Sequence, residues 1–177
     1  MTVHEHEHPF SDPESERDPV RRFRGRLAAP VTVITSGGPD DRAGLTVSSI
    51  LVAEGDPPTV HFLCGPENDV WDRIVETGTF VVHVLEEGDA AISDAFAGIR
   101  PSPGGPFRGL EVVDSPHGPV ITTIETRALC RHVFHRELTA HALVEGAIEG
   151  VTLHDMQRPL GWFRGSYLRR GQGPGHS

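Results

Sequence analysis

Residues 43–49 read Ala-Gly-Leu-Thr-Val-Ser-Ser, and residues 56–62 read Asp-Pro-Pro-Thr-Val-His-Phe. Leu45–Val47 and Thr59–Phe62 are rich in the residues that favour extended chain, which predicts a strand in each. The Asp-Pro-Pro turn separates them, because proline has no amide hydrogen to donate to a ladder. The hydroxyls and amides of Thr46, Ser48 and Ser49 fall where the first strand ends, a common place to bind a polar ligand. A hairpin with serines at its end explains the same residues without a ligand.

Further strands are predicted on both sides of this segment, with two short helices between them. The strands are Val31–Thr35, Gly44–Ser49, Thr59–Leu63, Thr79–Leu85, Ile124–His135, Ala140–Glu149 and Leu160–Phe163, and the helices are Val70–Glu76 and Asp89–Phe96. Many short strands with few helices indicate a mainly β barrel or sandwich closed largely by antiparallel pairing.

The polar ends of the chain set the predicted domain limits. Residues 1–17 are rich in His, Glu, Ser and Pro and predict a disordered tail, as do the Gly-rich residues 171–177. One domain is expected over residues 18–170. Asp18-Pro19 predicts a helix start, and Val20, Phe23 and Leu27 recur at helical spacing, so we expect this apolar stripe to pack.

Composition excludes several classes of function. The net charge of −9 argues against nucleic-acid binding. All 16 basic residues are arginines, which excludes Schiff-base chemistry on a lysine. No apolar run approaches the ~20 residues of a membrane span and the N-terminus is not a secretory signal, so a cytoplasmic protein with no membrane partner is expected. Cys64 and Cys130 fall in strand-like runs and are predicted to be buried small hydrophobes.

Six motifs in sequence order resemble the flavin reductase-like family. They are Val31–Thr35, Gly44–Ser49, Asp56–Pro58, Val81–Leu85, Ala95–Gly98 and Trp162–Tyr167. The likeness covers about Phe23 to Arg169. It implies an FMN-binding split barrel with Greek-key antiparallel strands and short helices at its edges.

The resemblance also implies an activity and its partners. The expected reaction is NAD(P)H-dependent reduction of FMN or FAD, with the reduced flavin supplied to a monooxygenase. Members pair as homodimers in which two barrels share the flavin clefts, so a homodimer is expected here. The resemblance assigns ring-edge contacts with the flavin to Thr46, Val47, Ser48 and Ser49. Ile50, Leu51 and Val52 stand where the family usually carries further hydroxyls.

The loop expected to hold the flavin phosphate departs from the family. Asn68 can donate a hydrogen bond, but Glu67 and Asp69 would repel a phosphate dianion. The same acids suit a helix start with no ligand. Arg73 or Arg164 would restore positive charge if a phosphate binds here.

His141 matches the histidine that the family places near the nicotinamide. Thr139 and Ala140 replace the Gly and Asp that precede it in the family's motif. A strand histidine without function explains the residue equally well. A second hypothesis follows from these departures: a divergent split barrel without standard reductase activity, which binds heme through a residue such as His141, or a small metabolite.

Overall fold

The computed structural model describes residues 18–168, so the tails predicted at 1–17 and 171–177 lie outside the described residues. The helices are α1 Pro19–Gly25, α2 Asp69–Thr77 and α3 Ala90–Phe96, and a 3₁₀ turn spans Glu87–Asp89. The strands are β1 Ala29–Pro30, β2 Thr32–Ser36, β3 Ala43–Val47, β4 Ile50–Ala53, β5 Thr59–Cys64, β6 Thr79–Val84, β7 Val112–Ser115, β8 Gly118–Ile121, β9 Arg127–Glu137, β10 Ala142–Thr152, β11 Gly161–Phe163 and β12 Ser166–Leu168.

Seven strands form one antiparallel sheet in the order β3-β2-β6-β9-β10-β5-β4. Strands β3 and β4 are its two edges, yet only Ser48 and Ser49 separate them in the chain. A flat sheet of this size would hold its edges about 29 Å apart. The chain from Val47 to Ile50 reaches at most about 11 Å, so the sheet must curl until its edges meet. The predicted fold, mainly antiparallel β with short helices, is confirmed.

Two clusters of buried residues fill the barrel and its flank. Phe62 and Phe80 meet edge to face in the first, with ring centroids 5.4 Å apart. Gly146 lies against the ring of Phe80, and a Cβ there would overlap the ring. In the second cluster α3 packs Phe96 against Phe107, with centroids 4.9 Å apart. Each cluster buries several large apolar side chains and so contributes several kcal/mol to stability, at about 1.5–3 kcal/mol for each fully buried side chain.

His83 is the largest polar side chain buried in the core. Its Nδ1 lies 3.2 Å from the carbonyl oxygen of Val33, and its Nε2 accepts a hydrogen bond from the amide of Ile121 at 3.1 Å. This pairing assigns the proton to Nδ1, because Nε2 is the acceptor. Burial lowers the pKa of His83 to about 4, so the ring is neutral at pH 7.

The cysteines are buried and free, as predicted. Burial raises the pKa of Cys64 to about 11 and that of Cys130 to about 12. Both side chains therefore act as small hydrophobes rather than as nucleophiles. None of the helices within residues 18–168 has the length and apolar content needed to cross a membrane.

Two predictions of local structure were wrong, and one hairpin was missed. The strand predicted at Gly44–Ser49 ends at Val47, and a new strand, Ile50–Ala53, pairs with β5 instead. The hairpin β7–β8 was not predicted. The α1 stripe does not pack, since Val20, Phe23 and Leu27 are 74%, 67% and 58% exposed. Helix α1 has only seven residues and Leu27 lies beyond its end, so the three side chains do not form one buried face.

Candidate functional site

Two cavities meet at Ser48 and Ser49, the residues that join the barrel edges. The hydroxyl cavity, as we name the first, has a volume of about 330 Å³ and is lined by residues 45–49, Gly65, Asn68 and His141. The arginine cavity has a volume of about 420 Å³, and Arg21, Arg22, Arg24, Arg26, Trp162 and Arg164 contribute to its lining. Both volumes lie in the range of small-molecule sites. Because Arg24, Ser48, Ser49 and Leu63 line both cavities, the two are contiguous.

The polar groups of Ser48 and Ser49 are largely unused by the fold. The carbonyl oxygen of Ser49 accepts a hydrogen bond from the amide of Leu63 at 3.2 Å. Within residues 18–168 neither hydroxyl and neither amide of the two serines has a hydrogen-bond partner. Both residues are half-buried. A polar ligand at the cavity junction would therefore find two hydroxyls and two amides ready to bond.

Thr46 and Val47 also line the hydroxyl cavity, but the fold already uses their polar groups. The hydroxyl of Thr46 donates to the carbonyl of Ser93 at 2.7 Å and so ties β3 to α3. The Val47 side chain is buried in the core, and its carbonyl accepts a bond from the Thr32 hydroxyl at 2.8 Å. The Thr46 hydroxyl has therefore given its one hydrogen to Ser93 and can only accept a hydrogen bond from a ligand, so its contact with the flavin stays a prediction.

Asn68 reaches the same cavity from the start of α2. Its side-chain amide donates to the carbonyl of Gly65 at 3.1 Å, which closes the loop that carries both residues. The neighbouring acids Glu67 and Asp69 are exposed, and neither lines either cavity. Asp69 begins α2, where a negative charge interacts favourably with the helix dipole.

His141 faces the hydroxyl cavity from the turn before β10. It is exposed, and its carbonyl accepts a bond from the amide of Leu138 at 2.7 Å, which closes the turn. The prediction placed His141 on a strand, but β10 begins one residue later, at Ala142. His141 is thus exposed and lines the same cavity as the serines, so a ligand there can contact it.

Arg164 lines the arginine cavity through the turn between β11 and β12. Its backbone has a φ of 52°, and its amide donates to the carbonyl of Gly25 at 2.9 Å. This bond ties the end of α1 to the β11–β12 turn. Tyr167, on β12, packs edge to face on Trp162 and donates its hydroxyl to Asp94 at 2.6 Å. Burial and this carboxylate raise the pKa of Tyr167 to about 12.

Arg73 lies away from both cavities. Its guanidinium is 2.7 Å from Asp41 and 2.7 Å from Glu76, and Asp41 in turn accepts a bond from the amide of Gly38. These contacts fix the turn after β2. The structure thus brings together six of the eight predicted site residues at the hydroxyl cavity and places Arg164 next to them, but it separates Arg73 from them.

The arginines of α1 were not predicted as site residues. Residues 21–26 read Arg-Arg-Phe-Arg-Gly-Arg, and the helical pattern assigned the arginines to a solvent face. The signal that could have identified them is four arginines within six residues of an acidic chain. The fold places this run at a cavity, and the bond from the Arg164 amide to the Gly25 carbonyl holds the end of α1 beside the β11–β12 turn.

The two linings fit a flavin nucleotide chemically. The isoalloxazine ring needs donors along one edge and an open face, and Ser48, Ser49 and His141 supply polar groups at the junction and rim. No acidic side chain of the described residues lines either cavity, so an anionic ligand meets no like charge there. Ser48 and Ser49 would hold the ring edge, and the arginines line the cavity to which both serines also contribute.

Comparisons with known proteins give the same assignment. The FMN reductase (NADH) RutF of Methylorubrum extorquens is 28% identical over 156 residues, which cover 85% of this chain and 74% of the relative. The homologue of nitrilotriacetate monooxygenase component B from Mycobacterium thermoresistibile is 27% identical, with a TM-score of 0.76 over 84% of this chain and 83% of that one. An NADH:FAD oxidoreductase from Streptomyces globisporus shares the fold at 24% identity, with a TM-score of 0.77 over 93% of this chain and 97% of that one.

The sequence profile of the flavin reductase like domain matches residues 24–170, nearly the whole described chain. The curled antiparallel sheet agrees with this match, as do the polar groups at its closing edge. The chain belongs to the flavin reductase-like family.

Proposed function

We propose that this protein catalyses NAD(P)H-dependent reduction of FMN or FAD. The observation that carries the proposal concerns Ser48 and Ser49 at the closing edge of the barrel. Their hydroxyls and amides have no hydrogen-bond partner within residues 18–168, and His141 lines the same cavity. Ser48 and Ser49 offer amides and hydroxyls to a flavin edge, and Val47 lies beside them. A bound flavin supplies the site that accepts hydride.

The protein's part in this reaction is to position the two nucleotides. Hydride transfer needs the donor and the acceptor close together and aligned, and alignment alone can lower the activation barrier by several kcal/mol. His141 is assigned to contact the nicotinamide, because it is exposed and lines the same cavity as the serines. Asn68 is assigned to the flavin side, since its loop lines the cavity next to Gly65.

The acceptor of the reduced flavin is proposed to be a monooxygenase. The relative from Mycobacterium thermoresistibile is named for a monooxygenase component, which supports a two-component system. The proposal also retains the cytoplasmic location expected from the sequence. A heme-binding or metabolite-binding protein is the alternative, and neither the comparisons nor the described residues favour it.

A homodimer is part of the proposal. Leu51, His61, Glu145 and Phe134 lie side by side across β4, β5, β10 and β9, on one face of the sheet. Leu51 is 60% exposed and Phe134 is 58% exposed. We assign this face to the interface because a second barrel packed on it would bury both of these large apolar side chains. Phe134→Glu should shift the mass measured by light scattering from dimer to monomer; an unchanged mass would remove this face from the interface.

The absorption spectrum and an activity assay test the proposal together. Purified protein titrated with FMN or FAD should perturb the flavin bands, and the mixture should oxidise NADH or NADPH in proportion to protein. A protein that binds no flavin and oxidises neither nucleotide contradicts the proposal. A visible heme band in the purified protein would favour the alternative.

A further inference from the structure

The arginine cavity concentrates positive charge in an acidic protein. Five arginines of residues 18–168 line it, although the net charge of the chain is −9. Among residues 18–168 no acid belongs to its lining, and Arg21, Arg22 and Arg24 form no ion pair with another described residue. Like charges around one cavity repel one another, and a bound anion removes that repulsion. The cavity is therefore suited to an anionic group.

Phosphate is the anion that this lining fits best. A guanidinium offers several N–H donors in a planar fork that matches two phosphate oxygens. The cavity also contains apolar surface from Leu27 and Trp162, and it borders the hydroxyl cavity at Arg24, Ser48 and Ser49. Among the described residues, those that line the hydroxyl cavity alone include no arginine and no acid. A ligand that fills both spaces has an uncharged ring at one end and phosphate at the other, which describes a nucleotide.

The other end of the hydroxyl cavity is unsuited to phosphate. Its loop carries Glu67 and Asp69, and both are exposed. Two carboxylates beside a phosphate dianion would oppose binding. Of the arginines that the structure describes, Arg24 alone lines the hydroxyl cavity, and it also belongs to the arginine cavity. A nucleotide that extends from the serines toward the arginine cavity therefore meets positive charge, whereas one that extends toward the Gly65–Asp69 loop meets negative charge.

We infer that the arginine cavity binds the phosphate groups of the nucleotide whose ring occupies the hydroxyl cavity, and that the Gly65–Asp69 loop does not. The inference rests on the proposed function and adds the direction in which the nucleotide lies. The phosphate belongs either to the flavin nucleotide or to the nicotinamide nucleotide.

The test compares ligands that differ only in phosphate. The variant is the double substitution Arg21→Gln with Arg22→Gln. Both residues line the arginine cavity but not the hydroxyl cavity, and glutamine retains helix propensity. The control is Arg136→Gln with Arg158→Gln, two exposed arginines outside both cavities, which changes the net charge equally. Dissociation constants for riboflavin, FMN and FAD are measured by fluorescence at low and high salt, and KM is measured for NADH and NADPH with riboflavin as acceptor.

If the flavin supplies the phosphate, the variant should weaken FMN and FAD roughly tenfold, a loss typical of a charged hydrogen bond at an exposed site, and less at high salt. Riboflavin should be unaffected, and the control should bind all three like the unaltered protein. If the nicotinamide nucleotide supplies the phosphate, the variant should instead raise KM for the nicotinamide nucleotide. KM should rise for NADPH alone if the cavity binds its extra phosphate, and for both NADH and NADPH if the cavity binds the diphosphate. Equal weakening of riboflavin and FMN, or no change with any nucleotide, would overturn the inference.

Inorganic pyrophosphate separates this inference from the proposed function. If the unaltered protein binds no flavin, the proposed function fails. Calorimetry with pyrophosphate then still tests the arginine cavity: binding that the double variant loses and the control keeps supports the inference. Equal binding to all three proteins overturns it.

Discussion

The two cavities share a wall but differ in charge. The hydroxyl cavity presents serines, an asparagine, a histidine and one arginine, Arg24, whereas the arginine cavity presents Arg24 and four further arginines. An uncharged ring loses little when it leaves water for the first, and an anion gains Coulomb energy in the second. One nucleotide can therefore be recognised in two ways at once. Ring recognition depends on the closure of the barrel, and phosphate recognition depends on where α1 ends.

Ser48→Pro should have the largest effect, because it breaks the shared wall. Proline deletes the Ser48 amide and strains the link between the barrel edges. We expect flavin affinity to be lost, whether or not the flavin carries phosphate. Ser48→Ala keeps the amide and should cost only about 0.5–1.5 kcal/mol of binding free energy. Both are measured by fluorescence titration after circular dichroism has established folding, and full affinity in a folded Ser48→Pro variant would place the flavin elsewhere.

Acidification should lower the stability of the whole fold through His83, and the two cavities should be lost together when the protein unfolds. The folded-state pKa of about 4 lies below the unfolded value of about 6.5, so only the unfolded chain takes up this proton between those values. The stability due to neutral His83 is complete above pH 6.5 and decreases by about 3 kcal/mol as the pH falls toward 4. Tm measured from pH 7 to 4 should fall, and His83→Gln should flatten this slope. An equally steep slope in the variant would assign the acid sensitivity to other groups.

His141→Ala should distinguish the cavities, since His141 lines only the first. Loss of donor positioning can lower turnover by up to about a hundredfold. Flavin affinity should stay nearly unchanged, and the NAD(P)H requirement should rise. His154→Ala is the matched control, because His154 is exposed and lines neither cavity. Full turnover in the His141 variant would leave the residue with no part in the reaction.

Glu67→Ser with Asp69→Ser should have the smallest effect. Both acids are exposed and outside both cavities, so affinities for FMN and riboflavin should change by less than about twofold at ordinary salt, where exposed charges are screened. Loss of Asp69 from the first turn of α2 should cost a few tenths of a kcal/mol of stability. Selective tightening of FMN would place the phosphate at the loop and contradict the assignment of phosphate to the arginine cavity.

Local patterns predicted most of the barrel. The ends of strands β2, β5 and β6 and of helix α2 were predicted within one or two residues, because each has a clear apolar pattern between turn residues. Strand β4 was missed, since Ser48 and Ser49 do not look like a break in sequence. Only the pairing of Ile50–Ala53 with β5 shows that the chain changes edges there.

The candidate site was predicted in part for the same reason. Ser48, Ser49, Asn68 and His141 were named from sequence order and from a resemblance, and the fold brings them to one cavity. The use of the Thr46 hydroxyl by Ser93 and of Arg73 by Asp41 could not be predicted, because each partner is more than 30 residues away in the chain. Hydrogen bonds between distant segments depend on sheet closure rather than on local pattern.

The sequence by itself determined that the chain is an acidic, lysine-free, mainly β protein with hydroxyl side chains at the end of one strand. These properties follow from composition and from short-range periodicity. Only the tertiary structure decided that the edges of the sheet meet at Ser48 and Ser49, and that the arginines of α1 border a cavity beside them. The curl of the seven strands brings the two sheet edges together, and the bond from Arg164 to Gly25 holds the end of α1 beside the β11–β12 turn. Both depend on contacts between segments that are far apart in the chain, so no window of adjacent residues predicts them.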